Sequence, residues 1–290
     1  VIIVVASIKG APGVTTTATA IATAWPQERR VLLVEADPFG GDLAAWSGLA
    51  PVTGLWSLLA AGRRGIDSDV VWDHATSLPA GLPVLHGLAS ADQAVANEAA
   101  WPAVAEALAA LDADVIVDAG RLLPHFAGGI RPLLSFAEVL VVLCPPTLAG
   151  IVHLKTSLPS LTAASSPGRF IVQPNAEKGF SSDEIASTLS IEVASPVPHD
   201  PKGALGLRGN SVGWAQSKSA LAKWARRNAA ELPAASSVST GTHELLSTPE
   251  SGDQSTGPLV TGPPGDTVRP SDAEHASHTD QSTAPTWAAR

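Results

Sequence analysis

The chain has no tyrosine, no methionine and a single cysteine, Cys144, among its 290 residues. One cysteine excludes an intramolecular disulfide, so a reducing cytoplasm is the natural setting. Without methionine, Val1 stands for a literally translated alternative start codon or for a cut within a longer chain that carries an N-terminal domain. No apolar run approaches the ~20 residues that a bilayer-spanning helix needs. Residues 1–8 are as apolar as a signal-peptide core, but they lack a basic leader and run straight into Lys9-Gly10, so they read as a buried strand.

Other absences narrow the chemistry. His74, His86, His125, His153 and His199 show no metal-ligand spacing, and Cys144 lies inside an apolar run. Neither a zinc site nor a thiol nucleophile is expected. Serines, histidines and aspartates are too scattered to propose a catalytic triad. Positive charge is scarce: the formal net charge is −9, and from Pro233 onward seven acids face two arginines, a net of −5 that leaves −4 on residues 1–232. Sequence-independent DNA binding depends on clustered Lys and Arg, so net charge supports neither a DNA nor a membrane surface.

What is present is a rhythm. The chain is 45% hydrophobic and 16% charged, enough for one sizeable core. Apolar runs at residues 1–8, 31–35, 83–86, 114–118, 139–144 and 169–172 read as strands. They are nearly continuous rather than alternating, as expected when helices cover both faces of a parallel sheet. Helices are expected between them at 15–25, 54–61, 91–111, 148–161 and 182–189, and a last one at 212–231. This alternation predicts an α/β, doubly wound, mostly parallel sheet with helices on both faces. On the last helix Trp214, Ser217, Leu221, Trp224 and Asn228 fall on one face, with Lys218, Lys223, Arg226 and Arg227 largely elsewhere. Two domains follow: residues 1–232 as the folded body, and 233–290 as a disordered Ser/Thr/Pro-rich acidic tail.

The first strand runs into Lys9-Gly10-Ala11-Pro12-Gly13-Val14-Thr15-Thr16 and then a helix. Strand, loop and helix N-terminus are the setting in which backbone N–H groups cradle phosphates. A standard phosphate loop ends in Gly-Lys-[Ser/Thr], the lysine on the β- and γ-phosphates and the hydroxyl on Mg²⁺. Here Val14 occupies the lysine position. Gly-x-Gly-x-x-Gly is absent after this strand, which disfavours a Rossmann dehydrogenase.

The loop resembles the deviant Walker A of the MinD/ParA family, Lys-Gly-Gly-x-Gly-Lys-Thr-Thr. On that match Lys9 is the family's extra lysine, which in relatives reaches the partner subunit's nucleotide across a dimer; Ala11 replaces a glycine and Val14 the general phosphate-binding lysine. The segment 31–38 looks like the second strand and switch I, with Asp37 at the acidic position implicated in magnesium and water handling and Glu35 where an aspartate is usual. Residues 114–118 resemble Walker B, with Asp118 placed to hold Mg²⁺ through water, and Ala119-Gly120 begins switch II. Gln173 and Asn175 match positions near the base, as does Asp200 in a late Pro-x-Asp loop. The resemblance spans about residues 1–230 in order.

It implies a cytoplasmic, nucleotide-dependent switch: Mg-ATP held between two subunits, with an unidentified protein partner and at most a peripheral, partner-mediated place at the membrane. Relatives position chromosomes, division sites or pilus and secretion assemblies, and residues 39–44 look more like the pilus-assembly and MinD-like members. A hydrogen bond to a charged group contributes ~1.5–3 kcal/mol, so the missing lysine weakens binding by ~10- to 150-fold and leaves the backbone cradle. Hydrolysis is more exposed, since one donor to transition-state charge contributes ~10²–10³ in rate. A catalytically inactive scaffold is therefore the rival reading. The site residues also have plainer uses: Thr15 and Thr16 as helix-start residues, Asp37 as a turn residue before Pro38, Asp118 as a strand end, Gln173, Asn175 and Asp200 as loop polar groups.

Overall fold

The computed structural model describes residues 1–10, 13–48, 53–62, 65–78, 80–122, 130–164, 168–176, 178–209 and 213–234. Ala11 and Pro12 of the loop, His125, Val212 and the tail expected to be disordered beyond 234 lie outside the described residues.

β1 (Ile2–Ser7) leads to α1 (Val14–Thr23), β2 (Val31–Glu35), α2 (Leu43–Ser47), α3 (Leu55–Ala61) and α4 (Ser68–His74). Next come β3 (Thr76–Ser77), β4 (Pro83–Leu85), α5 (Ala91–Ala96), α6 (Trp101–Ala109), β5 (Asp114–Arg121), α7 (Ile130–Phe136) and β6 (Val139–Cys144). After them follow α8 (Leu148–Ala164), β7 (Arg169–Pro174), α9 (Ser182–Leu189), β8 (Glu192–Val193), α10 (Pro201–Arg208) and α11 (Ala220–Ala234). The strands form one sheet in the order β3-β4-β2-β5-β1-β6-β7-β8. All pairings are parallel except β3 with β4.

Both faces are covered, which is why the strands read as unbroken apolar runs. Alternate side chains face opposite ways. Val4, Leu32, Val117 and Leu140 pack on one layer with Leu58, Val104, Leu133 and Ile185 from α3, α6, α7 and α9. Ile3, Leu33, Ile116 and Val141 pack on the other with Ile21, Leu207 and Trp224 from α1, α10 and α11. Ile3, Leu33 and Ile116 are fully enclosed, so each contributes ~1.5–3 kcal/mol of burial. The central strands β2, β5 and β1 lie side by side, and their carboxyl ends form the edge on which the site is built.

Two helices differ from expectation. Residues 91–111 do not form one helix. Ser90 caps α5 by accepting from the Gln93 N–H at 3.4 Å, and the Asn97 amide closes it by donating to the Gln93 carbonyl at 2.8 Å. A 3₁₀ turn follows, and Pro102, which lacks an N–H, sits in the first turn of α6. The last helix begins at Ala220, where the Ser219 hydroxyl accepts from the Ala222 N–H at 3.0 Å. Trp214 therefore lies ahead of it in a 3₁₀ turn and Ser217 in extended chain. Trp214, Leu221, Trp224 and Asn228 are nonetheless buried, and Lys218, Lys223, Arg226 and Arg227 exposed. Arg226 folds back to donate to the Ala215 and Ser217 carbonyls. α11 runs to Ala234, past the expected body boundary at 232.

Candidate functional site

The site begins where β1 ends. The buried Ser7 hydroxyl lies 3.3 Å from the Gly10 carbonyl and 3.3 Å from the Gly120 carbonyl, so it joins the start of the loop to the end of β5. Gly13 then takes φ +88°, a left-handed conformation that a residue with a Cβ adopts only under strain, and becomes the N-cap of α1. No side chain caps that helix. Its first-turn N–H groups are thus free of side-chain acceptors, which is the arrangement that binds anions.

These residues open onto a cavity of about 380 Å³ lined by Gly10, Gly13, Val14, Thr15 and Thr16 from the loop, Asp37 and Phe39 after β2, and Gly120 and Arg121 from β5. Trp46 of α2 and Arg208 of α10 close it. The polar groups underneath come from neighbouring strands. Glu35 and Asp118 are register partners across β2 and β5, and Val5 partners Asp118 on the other side.

Asp118 is fully buried. Its Oδ1 accepts from the Gly120 N–H at 3.1 Å, while Oδ2 has no hydrogen-bond partner. Its pKa is raised to about 7, chiefly by burial and also by the charges of Glu35 and Asp37, while the nearby Thr15 hydroxyl and the Gly120 N–H draw it down. Asp37 is half-buried, and its Oδ1 accepts from the Phe39 N–H at 2.8 Å. Burial raises its pKa, the Phe39 amide opposes this, and Asp42 adds to it. Its carboxylate lies so close to Gly120 that a Cβ there would overlap it. The two segments expected as switch I and switch II are therefore in contact.

Glu35 is a strut. Its Oε1 accepts from the Asp42 N–H at 2.6 Å and the Leu43 N–H at 2.9 Å, and Oε2 from the Gly87 N–H at 2.8 Å. One carboxylate thereby fixes the start of α2 and the chain after β4. Burial raises its pKa, and these three amides pull the other way.

Several expected site residues lie elsewhere. Lys9 is exposed and does not line the cavity; its Nζ lies 2.7 Å from Nε2 of His153 on α8. Gln173 is 2% exposed and donates to the Ser195 carbonyl, a link between β7 and the chain beyond β8. The Asn175 N–H donates to the Cys144 carbonyl at 3.1 Å. Asp200 caps two helices, Oδ1 accepting from the Gly203 N–H at 2.8 Å and Oδ2 from the Leu221 N–H at 3.1 Å. Burial works against its charge, but the amides of Gly203, Leu221 and Ala220 and the Ser219 hydroxyl outweigh it and lower the pKa. In this structure the Gln173 side-chain amide and the Asp200 carboxylate make hydrogen bonds within the fold, and neither residue lines this cavity. Burial pushes the Cys144 thiol up to about 11, and it donates to the Pro145 carbonyl.

No protein-family model matches the sequence, and no curated protein matches it. Solved structures do. A ParA family ATPase from Chlorobium tepidum TLS aligns with a TM-score of 0.67 at 21% identity, covering 80% of this chain and 98% of that one. The chain shares the fold of the ParA and MinD ATPases. The septum site-determining protein MinD of Pyrococcus horikoshii OT3, solved with Mg-ADP, aligns at 0.64 with 17% identity, over 83% of this chain and 99% of its own. A chain of a MinC:MinD cell division protein complex from Aquifex aeolicus aligns at 0.61 with 18% identity, over 85% of this chain and 98% of that one.

Within the MinD/ParA fold, the residues that sequence reading missed are Ser7, Trp46, Arg121, His153 and Arg208. Arg121 directly follows Asp118-Ala119-Gly120 and was within reach of it. Trp46 and Arg208 meet only because α10 folds beside α2.

Proposed function

We propose that this chain is a nucleotide-dependent switch of the MinD/ParA kind, which takes Mg-ATP at the cavity over β1, β2 and β5 and signals its presence to a protein partner. The observation that carries this reading is convergence: an uncapped helix N-terminus, Thr15 and Asp37 line one cavity, and the orphaned Oδ2 of Asp118, which does not itself line it, lies buried beside Thr15 and Asp37. Three strands that merely packed well would have no need of a buried carboxylate with one oxygen left without a hydrogen bond.

Thr15 and Asp118 are the residues that would hold Mg²⁺, with Asp37 close by. Among the described residues no group of three His, Cys, Asp or Glu could hold a metal, so the ion would take its other ligands from phosphate and water, as Mg²⁺ commonly does. Bound there, it supplies positive charge against the phosphates. The first-turn amides of α1 hold the phosphate tail. The contact between Asp37 and Gly120 couples the two segments that would sense it. Because Val14 replaces the loop lysine, hydrolysis is weak.

Homodimerisation through the nucleotide face belongs to the same proposal, with Lys9 crossing to the partner after leaving His153. So do the division into a switch body at 1–232 and a tail at 233–290, and cytoplasmic residence. Among the described residues no helix is long and apolar enough to cross a membrane. The MinC:MinD complex supports a protein partner in kind. The test is calorimetric titration of the full chain with Mg-ATP and Mg-ADP to millimolar concentration. Affinity in the micromolar to millimolar range supports the reading; no binding by a folded protein overturns it and leaves an inactive scaffold.

A further inference from the structure

The cavity has a charge problem that its own loop does not solve. Val14, at the lysine position, is 5% exposed and packed into the core layer of α1. Lys9 is turned to His153. Two carboxylates, Asp37 and Asp42, line the cavity. With no cation beside them, they would repel a phosphate tail.

Two guanidinium groups stand at the same cavity. Arg121 leaves the end of β5, and its Nε donates to the Ile8 carbonyl at 3.3 Å, which sets the side chain at the start of the phosphate loop. Among the described residues its terminal nitrogens have no partner and form no ion pair. Arg208 comes from the last turn of α10 and lies over the Trp46 ring, 4.4 Å from its centroid. Stacking uses the face of the guanidinium and leaves its edge of N–H donors free. Among the described residues none of those donors has an acceptor, and Arg208 too forms no ion pair. These two exposed arginines match the two lining carboxylates in charge, and arginine's planar fork matches phosphate oxygens.

We propose that Arg121 and Arg208 take over, within one subunit, the phosphate-binding role of the lysine that Val14 has displaced. The proposal rests on the reading of this cavity as a nucleotide site. It makes two demands: the arginines must matter for phosphates and not for the nucleoside, and a lysine put back at position 14 must make them less important.

Binding of Mg-ATP and of adenosine to the full chain is measured by calorimetry for the wild type, Arg121→Gln, Arg208→Gln and the same two changes in a Val14→Lys background. Circular dichroism confirms that each variant is folded. Each arginine change is expected to weaken Mg-ATP binding by ~10-fold or more, to leave adenosine binding within about twofold, and to have a smaller effect beside Lys at position 14. Wild-type binding with both arginine variants within about twofold of it overturns this proposal and spares the nucleotide site. Equal losses for ATP and adenosine overturn it too, since they show a general change of cavity shape. Absence of wild-type binding removes the nucleotide reading itself, and this proposal with it.

Discussion

Lys9 is bonded to His153 across 2.7 Å, from the loop after β1 to the second turn of α8. An ammonium has only donors, so Lys9 donates and the Nε2 of His153 accepts in this arrangement. The residue that the family resemblance assigns to a partner subunit's nucleotide is thus occupied in the single chain. Removing the acceptor should release it. In His153→Ala, the Mg-ATP concentration needed for half-maximal dimerisation is expected to fall by about two- to fivefold, because an exposed polar contact is worth at most ~1 kcal/mol. Sedimentation velocity across an ATP series reads this directly. Unchanged dimerisation would show that the contact does not restrain Lys9.

Glu35 satisfies three backbone amides at 2.6, 2.9 and 2.8 Å. The aspartate usual in the resembling family is shorter by one methylene and cannot reach both the start of α2 and the Gly87 amide from β2. Glu35→Asp is therefore expected to destabilise, although it moves toward the family pattern. At least one buried amide would lose its acceptor, at a cost of ~1–3 kcal/mol, and Tm should fall by ~2–4 °C for each kcal/mol in a domain of this size. Hydrogen exchange should quicken at Asp42, Leu43 or Gly87. A variant with wild-type Tm and unaltered exchange at those three amides would refute the role.

Much of the fold was legible because burial on both faces leaves a plain record: the apolar runs at Val31–Glu35 and Val139–Cys144 are the strands themselves. Helix α9 was equally open, since Ser181 and Glu184 form a reciprocal capping box at its start. The two-residue edge strands β3 and β8 were not, being too short to show a period. Nor was α10, whose start is defined by Asp200, a residue taken for a ligand-binding loop. The loop glycines and Asp118 were visible as types in an order. What stayed hidden was how each side chain is spent. Whether Gln173 turns to a base or to the Ser195 carbonyl, and whether Arg208 meets Trp46, depends on helices and strands distant in sequence.

Asp118 makes stability depend on pH in a definite sense. Burial raises its pKa to about 7 in the folded chain, against ~3.9 in an unfolded one. Between these values the folded state binds more protons, so stability is full below about pH 4 and declines as pH rises through 7. Asn has no charge to bury. Without nucleotide, Asp118→Asn should therefore gain on the wild type from pH 4 to pH 8 by up to a few kcal/mol, at ~1.4 kcal/mol per pKa unit. With saturating Mg-ATP at pH 8 the order should reverse, because only the carboxylate can face the ion. Urea denaturation across the pH series tests both. A difference independent of pH would mean that Asp118 is not the titrating group.

Val14→Lys restores the residue type that a standard phosphate loop carries. The residue lines the cavity although its side chain packs into the core layer, so a lysine there must turn out of that layer to reach the phosphate site. The variant forfeits the packing of a side chain that is 5% exposed, so a loss of ~1–3 kcal/mol in stability is expected and should be measured first. Mg-ATP affinity should rise by ~10- to 150-fold, the worth of one charged hydrogen bond. Turnover should rise by ~10²–10³, the worth of one donor to transition-state charge. Hydrolysis seen only in Val14→Lys would show that the natural chain binds nucleotide without spending it. Substantial wild-type turnover that Asp118→Ala abolishes would show instead that the fold has kept catalysis without its lysine. A folded Val14→Lys with no gain in affinity would mean that a lysine at position 14 adds nothing to the phosphate contacts the site already makes.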